Sequence, residues 1–221
     1  MIADRVVVVV PAHDERTLLP ACVDALRVAA SLVTVPVLLV VVLDACTDGS
    51  ATVLGDDVLA VEVQQRNVGA ARAAGFGAVA LGERTWCATT DADSTVSPTW
   101  LVDQLAHAAR GFDVVAGTVR VADWGGHPVA LRQRYEAGYT DADGHRHVHG
   151  ANLGIAARSY KRIGGFAPLA AHEDVDLVDR AVHAGGTVAW AADVVVHTSA
   201  RTTGRAPQGF AHHLADLAAA L

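Results

Sequence analysis

Five consecutive valines, Val6 to Val10, and a second run from Val37 to Leu43 are apolar throughout, with no residue suited to face water. Strands of that kind are covered on both faces, as the inner strands of a mostly parallel sheet are. Between them, TLLPACVDALRVAA carries apolar residues at helical spacing, so the chain opens strand, helix, strand. LAVEV (Leu59 to Val63), TWCATT (Thr85 to Thr90) and DVVAG (Asp113 to Gly117) continue the strands, alternating with helical stretches at Val68 to Leu81 and Pro98 to Ala109. That rhythm predicts an α/β fold with a mostly parallel central sheet flanked by helices.

At 221 residues, 52% apolar and 19% charged, the chain suits one packed domain over 1–221. Beyond Val121 the texture changes: ADWGGHPVALRQRYEAGYTDADGHRHVHG is rich in Gly, His, Arg and aromatics, and reads as a functional excursion with some helix. Regularity returns with ANLGIAARSYKRIGGF, the helix HEDVDLVDRAVHAG and two short strands, TVAWA and VVVHT. SARTTGRAPQGF reads as a loop and AHHLADLAAAL as a final helix.

The longest apolar stretch, SLVTVPVLLVVVL, is interrupted by Thr34 and Pro36 and falls short of the roughly 20 residues a spanning helix needs, so no membrane span is expected. The N-terminus reads as a first strand and not a signal peptide. Three cysteines without CxxC spacing point to reduced thiols and a cytoplasmic location. A formal net charge of −7 opposes nucleic-acid binding. The oligomeric state is left open.

Ligands of open α/β sheets collect beyond the carboxyl ends of the strands, and here those ends are acidic: PAHDE, DACTDGS and DAD. PAHDE has no glycine-rich turn, which removes the dinucleotide fingerprint, and no GxxxxGK[ST] loop exists. GFGAVA, Gly75 to Ala80, lies inside a helical stretch, where small residues serve close packing. A bound diphosphate would then be neutralised by a cation held on carboxylates. TDAD occurs twice. The first copy ends a strand and aims Asp91 and Asp93 at the ligand edge, although Asp-x-Asp alone is also ordinary turn chemistry. The second, at Asp141 and Asp143, precedes Gly144 and has no strand to aim it, so it reads as a turn.

Taken in order, strand plus PAHDE, strand plus DACTDGS, RNVGAARAAGFGAV, strand plus DAD, GANLGIAARSYKRIGGF and HEDVDLVDRAVHAG resemble the inverting family 2 glycosyltransferases of GT-A fold, from about Val6 to His197. The resemblance implies transfer of a sugar, of the hexosyltransferase type, from a UDP- or GDP-sugar to a small-molecule, glycan or lipid-linked acceptor. It implies a nucleotide-binding half, 1–118, and an acceptor and catalytic-base half, 119–221. Pro11, Ala12, His13 and Glu15 would lie against the nucleoside, Asp44 near the base, and Arg72 would approach the nucleotide. Asp93 would contact Mg2+ or Mn2+; Asp91, facing the ribose, would complete the metal-dependent pair with Ala92 between them against the donor. Glu173 would flank the donor and Asp174 would be the general base. The resemblance also makes His197 a metal ligand and brings Arg201 and Arg205 toward the phosphates, while Gly164, Gly165 and Phe166 would shape the acceptor pocket.

Two departures leave the base and donor open: His13 stands where the family often has Asn, and Leu43 where it often has Asp. Without a QxxRW signature a single transfer is expected rather than processive synthesis. The alternatives are a sugar-phosphate nucleotidyltransferase, which would carry a glycine-rich basic loop after the first strand, and an inactive nucleotide-sugar-binding module. Acceptor choice is expected in Trp124 to His149.

Overall fold

The computed structural model describes residues 2–201 and 210–219. The valine runs form β1 (Arg5–Ala12) and β2 (Val37–Asp44), paired in parallel, with β3 (Val58–Val63) beyond β2 and β4 (Thr85–Thr89) on the other side of β1. Alternate valines of β1 serve different layers. Val6, Val8 and Val10 pack with Leu19, Leu26, Trp100 and Leu101, whereas Val7 and Val9 pack with Phe76, Tyr160 and Leu177. Each valine so buried is worth about 1.5–3 kcal/mol.

The first layer is built by α1 (Leu19–Ser31), with Pro20 in its first turn, and α3 (Trp100–Ala109). The second is built by α2 (Val68–Gly77), α5 (Ala157–Arg162) and α6 (Glu173–His183). Asn67 caps α2 by accepting from the Ala70 amide at 2.8 Å. The GFGAVA stretch is packing chemistry: a Cβ on Gly75 would meet Val9 Cγ1 at 2.6 Å and Val42 Cγ2 at 2.8 Å. In α6, Glu173, Asp174 and Asp176 occupy the first turn and Arg180 and His183 the last, matching the helix dipole at both ends.

The eight-stranded sheet runs β3-β2-β1-β4-β7-β6-β8-β5, completed by β5 (Ser94–Val96), β6 (Val114–Asp123), β7 (Leu153–Ala156) and β8 (Val188–Ser199). β7 runs against β4 and β6, and β5 against β8, while the others are parallel. The two short strands expected at TVAWA and VVVHT are one strand, β8, because β6 stays paired to it across an irregularity where Gly117 faces Ala191 and Thr118 faces Val195. The expected boundary between 118 and 119 falls inside β6, and both halves share the sheet.

The excursion holds α4 (Val129–Gly138), which packs on α7 (Phe210–Ala219) through Tyr135, Leu214 and Phe210. Among the described residues no helix is long and apolar enough to cross a membrane. Cys22, Cys46 and Cys87 are free thiols, and burial pushes that of Cys87 up to about 12.

Candidate active site

The carboxyl ends of β1, β2 and β4 carry PAHDE, the Asp44 turn and the DAD loop, as parallel strands deliver them to one edge. The PAHDE turn is locked to the β2 turn. His13 Nδ1 donates to the Asp44 carbonyl at 2.6 Å, and the Glu15 amide donates to Ser50 Oγ at 3.0 Å. Asp14, at φ 53°, accepts from the Thr47 amide at 2.6 Å and the Asp48 amide at 3.1 Å. Asp44, buried, accepts the amides of Gln65 (2.6 Å), Arg66 (2.8 Å) and Asn67 (2.9 Å), so its carboxylate holds the entry to α2.

Arg72 projects from α2 beneath the DAD loop, and its side chain is 2% exposed. Its guanidinium donates to Thr89 Oγ1 at 3.2 Å, to Asp91 Oδ1 at 2.6 Å and to Glu173, and lies 5.6 Å from the Phe166 ring centroid. Burial works against the charge, but Asp91, Glu173 and Asp174 raise its pKa on balance. Burial in turn raises the Glu173 carboxyl, opposed by Arg72. Gly150 is the cradle: a Cβ there would come within 2.7 Å of the guanidinium nitrogens.

The adjoining group is also acidic. Arg201, just beyond β8, bridges Glu15 Oε1 at 2.6 Å and Asp93 Oδ2 at 2.9 Å. Burial and Asp91 push the Asp93 carboxyl up to about 6, opposed by Arg201 and reinforced by Glu15. The oxygen donors here, Asp93, Asp91 and Glu15, are of the hard type that Mg2+ or Mn2+ takes, and the three do not bring ligand atoms within 4.8 Å of one another.

His197 is half-buried in β8, opposite Thr95 of β5. Asp91, Asp93 and His197 do not bring ligand atoms within 4.8 Å of one another; among the described residues Asp14, Cys46 and Asp48 do. That second group is a hydrogen-bonded turn, with Asp48 accepting from the Ser50 amide at 2.9 Å and the Arg16 amide at 2.8 Å. Arg205 lies outside the described residues.

Asp174, next to Glu173 on α6, accepts from the Gly150 amide at 2.6 Å and the Val175 amide at 2.8 Å. His172 precedes them at φ 61°, turning the chain into the helix. His149 lies beside this group. Tyr139 Oη accepts from the Val119 amide at 2.9 Å and is hydrogen-bonded to His149 Nε2 at 3.1 Å. Burial lowers the His149 pKa to about 4, which favours the neutral ring. Tyr139 stacks on His147 at 4.2 Å, and Phe166 packs against Phe76 and Tyr160. The second TDAD copy is a turn tied to the sheet: Asp141 pairs with Arg120 at 2.9 Å, and Asp143 accepts from the Ala192 amide at 2.9 Å.

Sequence reasoning missed the Glu15–Arg201–Asp93 bridge, the Gly150 cradle and the Tyr139–His149 pair. Gly150 of GANLG offered a local signal; Glu15 and Asp93 are remote in sequence from Arg201, and Tyr139 and His149 lie ten residues apart in a stretch of weak period.

The chain matches the profile of glycosyl transferase family 2 over residues 7–164. No curated protein matches it. Among solved structures, it resembles Staphylococcus aureus TarS 1-349 in complex with UDP-GlcNAc, with a TM-score of 0.70 at 15% identity over 98% of this chain and 66% of that one. The mannosyltransferase PcManGT from Pyrobaculum calidifontis, in complex with GDP-Man and Mn2+, aligns with a TM-score of 0.65 at 22% identity over 92% of this chain and 59% of that one. Against TarS itself the chain spans 36% of the length, at 14% identity, 88% coverage of this chain and a TM-score of 0.69. At these identities the likeness is one of fold, the GT-A fold.

Proposed function

The chain belongs to glycosyl transferase family 2, and from that premise we propose that it is a metal-dependent inverting glycosyltransferase. It moves a sugar from a UDP- or GDP-sugar to a hydroxyl acceptor in one non-processive transfer. The observation that carries this reading is that one buried guanidinium, Arg72, joins Asp91 of the DAD loop to Glu173, the neighbour of Asp174. The donor-binding acids and the base are thereby held one side chain apart on a rigid scaffold, as a displacement between two bound substrates requires.

Asp93, with Asp91 and Glu15 beside it, would hold the cation, which when bound supplies positive charge against the departing diphosphate. The Mn2+ recorded with PcManGT and GDP-Man supports that choice of group. Asp174, fixed by the Gly150 amide, takes the proton of the acceptor hydroxyl. The acceptor oxygen forms its bond to the anomeric carbon as the bond to the diphosphate breaks, inverting that carbon. Pro11, Ala12 and His13 wall the nucleoside side, and Ala92 separates the two acids of the loop. Acceptor choice belongs to the aromatic and histidine face of Tyr139, His147 and His149.

The test is a panel of UDP- and GDP-sugars with Mn2+ or Mg2+, read as nucleoside diphosphate release with and without acceptors. Asp174→Asn is expected to lower turnover about 10²–10⁴-fold with donor affinity kept, and Asp93→Asn to lose metal-dependent donor binding. The double change Asp141→Ala/Asp143→Ala is expected to leave donor binding intact. Unchanged turnover in Asp174→Asn would sink the assignment of the base.

A further inference from the structure

The two arginines at the site are held differently. Arg72 is enclosed and bonded on three sides, whereas the Arg201 side chain is 26% exposed and lies above carboxylates more deeply buried than itself, Glu15 at 7% and Asp93 at 13%. Arg201 is therefore the partner of the three that stands nearest solvent. Its backbone is anchored, since β8 ends at Ser199 and the Ala200 carbonyl accepts from His127 Nε2 at 2.6 Å. Only the long side chain needs to move.

We propose that Arg201 is a diphosphate-binding residue held in reserve: in the nucleotide-free protein its guanidinium stands on Asp93 and Glu15, where the divalent cation binds, and it turns to the diphosphate when the cation takes Asp93. The inference rests on the function proposed above. The chemistry follows from ligand preference. A small dication binds carboxylate oxygens with twice the charge of a guanidinium, so Arg201 yields Asp93 to it. A guanidinium released beside a diphosphate finds paired oxygens that match its two parallel donors. Arg201 thus opposes the cation when the cation is alone and assists the nucleotide once the cation is present. Cation and nucleotide binding are coupled in both directions as a result.

The test uses the full chain, with binding of free Mn2+ followed by loss of its aqueous electron paramagnetic resonance signal, and of UDP and GDP by calorimetry at saturating Mn2+. Arg201→Gln is expected to bind Mn2+ alone about tenfold more tightly than wild type, and whichever nucleotide wild type takes about tenfold more weakly, the scale of one charge-assisted hydrogen bond. Arg201→Lys keeps the charge without the fork, so it should stay near wild type for Mn2+ and still lose nucleotide affinity. Wild-type protein that binds neither UDP nor GDP with Mn2+ overturns the functional reading and this inference with it. Wild-type nucleotide binding together with unchanged or weaker Mn2+ binding in Arg201→Gln overturns this inference alone.

Discussion

Asp93 is buried beside Asp91 and Glu15, and its carboxyl is pushed up to about 6, chiefly by burial and Asp91, against the pull of Arg201. In the unfolded chain it would titrate near 4. Between those values the native state binds the proton more strongly than the unfolded state does, so this residue's contribution is fully present below about pH 4. It is lost as pH rises through about 6. Asp93→Asn removes the penalty. Without divalent cations, the variant and wild type should melt alike near pH 4, with the variant ahead by about 2 kcal/mol at pH 7.5, or about 4–8 °C for a chain of this size. A gap that does not widen with pH would contradict this account. Asp91 and Asp93 were legible in the sequence because an apolar strand ran straight into them. Arg201 was only a candidate for the phosphates there, since its partners Glu15 and Asp93 depend on where β8 ends relative to β1 and β4. Asp44, expected near the base, spends its carboxylate on three amides, a commitment invisible in a motif.

Elements longer than a few residues announced themselves by period, as β1 to β4 and α1 to α3 did. β5 and β7 did not, because three or four residues carry too little alternation to separate from a loop. β8 was read as two strands because Ala192 and Asp193 interrupt its apolar pattern. In the fold Asn152 holds it together: fully buried, it donates to the Thr118 and Val194 carbonyls, both at 2.8 Å, and accepts from Trp100 Nε1 at 2.8 Å. The same side chain therefore fixes β6, β8 and α3 where the β6–β8 register shifts. Asn152→Asp keeps the shape but turns an oxygen toward two carbonyls. It should cost at least about 3 kcal/mol, the loss of two buried hydrogen bonds with their carbonyls left unpaired. Thermal melts of Asn152→Asp and Asn152→Ala check this, and a near-wild-type melt for Asn152→Asp would show that the clamp is dispensable.

At the scale of the molecule, the family profile ends at residue 164, yet the sheet does not close there. β7 inserts between β4 and β6, and β8 covers both β6 and β5, so the strands of the first half depend on strands supplied after residue 150. The second core layer depends on them equally: Val7, Val9 and Phe76 pack with Leu153, Ile155, Phe166 and Leu177. A first half cut at Thr118 would expose one edge of β4, leave β5 without its partner and leave α2 alone to cover one face of β1. Open edges and a half-covered apolar sheet favour association over folding. We therefore expect a fragment of residues 1–118 to show no cooperative transition when heated, by near-ultraviolet circular dichroism, while the whole chain melts in a single step seen alike in the near and far ultraviolet. A fragment that melts cooperatively would make the first half an autonomous unit. Failure to do so would mean that the proposed donor site and the proposed base are built by one folding event, with Arg72 bonded to Asp91 and Glu173 only once both halves of the sheet are in place.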